Sequence, residues 1–191
     1  MIGDLDTTLR PLIDHVFALV ATRKERRPHP ALPRRLEALF AALRRAGSPD
    51  AVEQAQDLIW AVWCDHPHAP TRDALHEAIA EMAVEAFEPA LGRLTRLIEQ
   101  EPEWAEAWNK RAVTLFVLGR DAESLADIAR VIEREPRHFG AISGFAQIAL
   151  RNGYLHEAAV AFRAALELNP HLRGVGDMLD TLERERALSL N

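Results

Sequence analysis

One cysteine in 191 residues, Cys64, leaves no partner for a disulfide within the chain, so packing alone must hold the fold. Aromatic residues make up only 6% and there are nine glycines, while Ala, Leu, Glu and Arg abound. Such a mixture favours helices and lacks the β-branched runs from which strands are built. No run of 18 apolar residues occurs, which excludes a membrane-spanning helix. The N-terminus carries Asp4 and Asp6, and Asp14 with His15 breaks its apolar run, so a secretory signal is not expected and a cytoplasmic location is.

Catalytic motifs are missing too. There is no glycine-rich phosphate loop, no G-x-S-x-G elbow and no H-E-x-x-H, so neither an enzyme nor a catalytic residue is expected. Cys64-Asp65-His66-Pro67-His68 is the densest cluster of metal-ligating types, but no second Cys/His pair stands at zinc-finger spacing. A helix end followed by a turn is the expectation there, with no metal and no cofactor. Cys64 beside Trp63 reads as a small buried hydrophobe. His68, His138 and His171 fall in turns too far apart, at stacked-helix spacing, to share an ion.

What is present is a period. Pro102, Pro136 and Pro170 lie 34 residues apart and Pro67 lies 35 before the first. Ahead of three of them runs an apolar stripe at helical spacing: Leu91/Leu94/Leu97/Ile98, Leu125/Ile128/Val131/Ile132 and Ala158/Phe162/Ala165/Leu166. Each proline must end its helix because it has no N–H to give. Gly119-Arg120-Asp121 and Gly153-Tyr154 split two of the units, so each is a helix–turn–helix.

Trp108, Ala112, Leu115, Ser124, Ile128 and Pro136, followed by Ile142, Phe145, Ala146, Ala149, Ala158, Phe162 and Pro170, resemble the tetratricopeptide-repeat pattern. Small residues at Ala146 and Ala158 fit positions where two helices approach closely. The unit with Ala90, Leu94, Leu97 and Pro102 resembles it less, since Glu77 and Glu81 stand where apolar residues are preferred and Pro89 must open its second helix. Leu39, Leu43, Ala55, Ile59, Val62 and Pro67 fit the same template, with Ser48-Pro49-Asp50 as a helix start. The stretches IWAVW (59–63), WNKRA (108–112), SLADIARVIEREPRHFGAISG (124–144) and LNPHLRGV (168–175) are similar to small bacterial members of this family, whose function is unassigned. Relatives in that group often carry an export signal, which keeps an extracytoplasmic location as the alternative.

The expected architecture is therefore all-α, a right-handed α-α superhelix of antiparallel helix pairs with terminal capping helices. Residues 1–32 would form an amphipathic helix and proline-rich linker, 33–70 a degenerate pair, 71–104, 105–138 and 139–170 three repeats, and 171–191 a capping helix with the stripe Val175/Leu179/Leu182/Arg186. Leu5, Leu9, Leu12, Ile13, Val16, Phe17 and Val20 share one face of the first helix, with Thr8 as its cap before Pro11. That helix is expected to cap the first repeat, with homodimerisation through residues 5–20 and a membrane-surface role as alternatives. After it, Pro28-His29-Pro30 and Pro33 make a linker.

The resemblance implies a protein or peptide partner held in the concave groove lined by the first helix of each pair. Arg72, His76, Ile79, Asn109, Lys110, Val113, Phe116, Ser143, Gln147 and Arg151 are placed toward it, Asn109 being the foremost main-chain partner. Gly140, Ser143 and Leu75 depart from the Lys and Asn pattern with which some members grip a C-terminal carboxylate. A structural homo-oligomer built through the N-terminal helix is the alternative function. Charge is divided: residues 1–45 hold nine basic and five acidic residues, a net +4, which leaves −10 of the total −6 to the rest. The acidic repeats argue against nucleic acid and favour a basic segment, for which Arg23 to Arg45 of this chain is a candidate in cis.

Overall fold

The computed structural model describes residues 3–30 and 32–189, and side chains from Leu9 to Arg184 except residue 31; Leu5 and Arg186 of the two terminal stripes lie outside the described side chains. Among these residues there are ten α-helices and no strand. They are α1 (Gly3–Ala21), α2 (Arg35–Arg45), α3 (Pro49–Cys64), α4 (Ala69–Ala83), α5 (Phe87–Gln100), α6 (Ala105–Val117), α7 (Asp121–Arg134), α8 (Phe139–Arg151), α9 (Leu155–Leu168) and α10 (Val175–Ser189).

Three antiparallel pairs, α4–α5, α6–α7 and α8–α9, stack in order, and α10 closes the stack on α9 with Val175, Leu179 and Leu182 buried. Pro102, Pro136 and Pro170 each fall just beyond the end of a second helix, where a missing N–H costs nothing. Ala146 and Ala158 are fully buried, and the Ser124 hydroxyl donates to the Ala112 carbonyl at 2.8 Å, a close approach that larger side chains would prevent. Gly119 and Gly153 turn the chain inside their pairs with φ of 74° and 82°. The equivalent residue of the first repeat is Glu85, in the same left-handed region at 60°.

Glu77 and Glu81, anomalous against an apolar template, are explained by Arg93 of α5. Its guanidinium donates to Glu81 at 2.7 and 3.1 Å and to Glu77 at 2.5 Å, so an ion pair fills the place of an apolar contact between the helices.

The first helices of successive pairs touch one another, α4 with α6 and α6 with α8, whereas the second helices make no comparable contact. The stack is therefore curved, with α4, α6 and α8 on its inner side. The spread between α7 and α9 on the outer side is filled by α1, which packs on α7, α9 and α8 rather than on the first repeat. Ile13, Val16, Leu19 and Val20 are buried there, so the apolar face of this helix is covered within the chain. Phe17 meets His156, and Arg10 lies over Tyr154 and 3.6 Å from Glu157. Thr8 is not its cap: the helix already starts at Gly3 and carries Pro11 on an exposed side within it.

From α1 the linker crosses the ends of α7 and α9. The His29 amide donates to the Arg134 carbonyl at 2.7 Å, and Glu167 receives Arg23 and Lys24. The α2–α3 hairpin has a core of its own, Leu36, Phe40 and Leu43 against Ala55, Ile59 and Val62. It docks on α6, the start of α8 and the turn before α10, and so lies across the repeats instead of continuing their stack ahead of α4.

Candidate functional site

Side chains 34 residues apart occupy equivalent places on α4, α6 and α8, which sorts the inner surface into rows. Arg72, Glu106 and Gly140 form the row nearest the helix starts; Leu75, Asn109 and Ser143 come next, and Ile79, Val113 and Gln147 follow one turn further on. The starts of α6 and α8 in these rows are covered by this chain's own α3. At 16 residues, about 24 Å, this helix passes the turn holding His171 and Leu172, then the start of α8, then the start of α6, and delivers the chain to α4.

Two tryptophans one turn apart make the contact. Trp63 stacks on the His138 ring at 4.0 Å with planes 13° apart, and its carbonyl accepts the Trp104 indole N–H at 2.9 Å. Trp60 meets His138 edge to face at 5.6 Å and takes the Lys110 ammonium over its ring at 4.9 Å. Gly140 is small for this reason: a Cβ there would stand 2.9 Å from the Trp60 ring.

Under the tryptophans sits a buried carboxylate. Glu106 is 1% exposed and is reached by Lys110 Nζ at 3.0 Å, by His138 Nε2 at 2.9 Å and by the Asn109 amide at 3.2 and 3.3 Å. The Ala141 amide donates to His138 Nδ1 at 3.1 Å, capping α8 and leaving Nε2 as the donor to Glu106. Burial by itself would push the Glu106 carboxyl up; the His138 hydrogen bond and the Lys110 charge outweigh it and hold the group below its ordinary value. Burial would depress Lys110, and Glu106 raises it above the ordinary lysine value. Every oxygen of the carboxylate is occupied, so the arrangement holds a helix in place and offers no vacant acid or base.

Asn109, expected as the first main-chain partner of a ligand, is therefore buried and committed to Glu106, and Lys110 is committed to Glu106 and Trp60. Ser143 is buried as well. Phe116 is half-buried beneath the Arg151 guanidinium, 4.1 Å from its ring, and Arg151 also pairs with Asp121. Arg72 lies 3.7 Å from Asp65, and His76 is exposed beside it. Ile79, Val113 and Gln147 remain accessible, Val113 at 42%, and one turn beyond them Val117 is 53% exposed. This inner strip keeps Val113 and Val117 of α6 in water, with half-buried Ile79 and exposed Gln147 at the places equivalent to Val113.

The Cys64–His68 stretch forms the turn into α4. The His68 amide donates to His66 Nδ1 at 3.2 Å, and His68 Nδ1 lies 2.8 Å from the Thr71 hydroxyl. Burial pushes the Cys64 thiol up to about 12, with Glu106 adding to the shift and Lys110 opposing it. No group of three His, Cys, Asp or Glu among the described residues converges as metal ligands would, and no described helix is long and apolar enough to cross a membrane.

Reasoning from the sequence missed the Glu106–His138–Trp63 centre. Its available signals were a Trp-x-x-Trp spacing on α3 and a glycine in the first turn of α8, both marks of close contact.

No family model matches the chain. A TPR repeat-containing protein of Rhizobium etli is 32% identical over 153 residues, spanning 80% of this chain and 75% of that one. Among solved structures, the first TPR of Spaghetti (RPAP3) bound to the HSP90 peptide SRMEEVD is similar, with TM-score 0.58 and 17% identity over 61% of this chain and 93% of that one. A MamA RS-1 ArsTM double mutant gives TM-score 0.56 and 16% identity, over 82% and 88%. The TPR2AB domain of yeast Sti1 in complex with pHSP90 gives 0.53 and 21%, over 77% and 60%.

Proposed function

Since the chain belongs to the tetratricopeptide-repeat family, we propose that it is a protein-interaction module without a catalytic step, which takes a peptide or protein segment along the open inner strip through Ile79, Val113 and Gln147. The carrying observation is the repetition: the same position on α4, α6 and α8 is accessible, with exposed Val113 and Val117 at its centre. A ligand covering them gains apolar burial worth about 25 cal/mol per Å2. Gln147 and His76 supply hydrogen-bonding groups at the edges.

The complexes of the Spaghetti repeat and of Sti1 with HSP90 support the class of activity. The strip differs in one respect from a fully open inner face. With α3 laid against the starts of α6 and α8, buried Asn109 and Ser143 and the engaged Lys110 are not offered to the ligand.

Selection of displayed random peptides on the full chain, repeated on Val113→Glu and Gln147→Ala variants, tests the reading. Peptides enriched by the wild type and lost by Val113→Glu, with weakening by Gln147→Ala, are the expected result. Peptides retained equally by all three would move the ligand off this strip.

A further inference from the structure

We propose that the basic edge formed by the linker and α2 is a second docking surface, separate from the inner strip, for an acidic segment of a partner protein. Residues 22–45 hold eight basic residues and two acidic ones in a chain whose net charge is −6. Folding gathers part of this charge. Arg23 and Lys24 from the linker, Arg44 from the end of α2 and Arg137 from the turn before α8 surround a cleft of about 360 Å3, floored by Pro136 and Leu168.

A single carboxylate, Glu167, lines that cleft. Lys24 Nζ lies 2.9 Å from it and the Arg23 guanidinium bonds it as well. Arg137 lies over the Phe40 ring, 5.1 Å from its centre, with two bonds of 2.8 Å to Glu135. Arg23 and Arg137 are thus held at the cleft with their charges already shared with Glu167 and Glu135, and the added capacity for an anion rests on Arg44. Arg44 has no ion pair or hydrogen bond from its side chain among the described residues, nor have the exposed Arg45, Arg26 and Arg27. A guanidinium takes a carboxylate in two parallel bonds, so the free arginines suit Asp or Glu side chains.

The surroundings favour a short acidic segment over a long polyanion or a bilayer. A duplex carries one charge per ~1.7 Å and would have to run on past repeats that are themselves acidic. Among the described residues, the exposed large apolar side chains include none from 22–45, so the arginines lack the apolar neighbours that a bilayer surface favours.

Fluorescence anisotropy of labelled octaglutamate with the full-length chain, at low and physiological salt, is the test. Binding that Arg44→Glu weakens about tenfold, while Arg96→Glu on α5 and Val113→Glu leave it within about twofold, supports the surface. Arg44→Gln should fall between, and circular dichroism checks that each variant is folded. Equal weakening by Arg44→Glu and Arg96→Glu would reduce the effect to net charge and overturn the proposal. Absence of binding would do the same, as would tighter binding of a short DNA duplex or of phosphatidylserine vesicles. Loss of the inner-strip reading leaves this one standing, because their variants lie on different elements.

Discussion

Arg111 of α6 and Asp127 of α7 face each other in a two-pronged ion pair of 2.7 and 2.8 Å, at the positions that Glu77 and Arg93 hold in the preceding repeat with the charges exchanged. In the third repeat the same two positions are Phe145 and Ala161, both fully buried. One slot between paired helices is therefore filled by either polarity of ion pair or by apolar groups. The slot demands mutual satisfaction and is indifferent to which residue supplies which half.

Asp127→Ala should cost about 2–4 kcal/mol, because it leaves Arg111, half-buried beside Trp108, without its carboxylate. The double exchange Arg111→Asp with Asp127→Arg should recover a good part of that loss. Recovery will be partial, since Arg111 also donates to the Thr95 hydroxyl at 3.3 Å. Urea denaturation of the wild type and the two variants measures both terms, and a double variant no better than Asp127→Ala would refute interchangeable polarity.

Glu106 ties stability to acid. Its carboxyl lies below the ordinary value in the folded chain, so its contribution is present above that ordinary value, 4.5, and is lost as pH falls through the lower folded one. Glu106→Gln should destabilise the protein by about 3 kcal/mol at neutral pH, with half-buried Lys110 left without its carboxylate. The variant should also lose a large part of the wild type's decline as pH falls below the ordinary carboxylate value of 4.5. An unchanged acid slope in the variant, followed by urea midpoints across that range, would assign the decline to other carboxylates.

Gly140→Ala should cost about 1–3 kcal/mol, because its methyl would stand 2.9 Å from the Trp60 ring. In a Trp60→Ala background the same substitution should cost almost nothing. This double-mutant cycle isolates the contact between α3 and α8, and an equal cost in both backgrounds would mean that the strain lies elsewhere.

Glu85 and Gly119 give opposite expectations at equivalent turns. Gly119→Ala places a side chain at φ 74° and should lose about 1 kcal/mol, though no atom would crowd it. Glu85→Gly removes a side chain from φ 60° and should be neutral or gain up to about 1 kcal/mol. Thermal melting of both variants decides it.

Much of the repeat stack was legible because its markers are local. Prolines 34 residues apart, apolar stripes between them, and Ala146 with Ala158 at a helix crossing all report on neighbours in one unit. The register also placed Ile79, Val113 and Gln147 on one inner row. What stayed hidden was the destination of the first three helices. The stripe Ile13, Val16 and Val20 states that a face must be covered and carries nothing about α7 and α9 being the cover. Asn109 and Lys110 read as ligand contacts although Glu106 stands within one turn of both on α6, because only the arrival of α3, with Trp60 over Lys110, and of His138 turns that exposed-looking cluster into a buried one. Glu106 itself looks like one more surface acid until Lys110 and His138 are seen to surround it.

The wrapping of the N-terminal region has a consequence during synthesis. A simple repeat array can fold as it leaves the ribosome, each unit resting on the one before. Here the parts made first are completed by the parts made last: Arg23 waits 144 residues for Glu167, and the Leu43 carbonyl waits 128 for His171. Until His138 and Phe139 emerge, Trp60 and Trp63 have only each other and the α2–α3 hairpin to lie against. The nascent chain must carry these two rings incompletely covered from Trp63 until Phe139 is made, a period in which chaperone capture or premature association competes with folding.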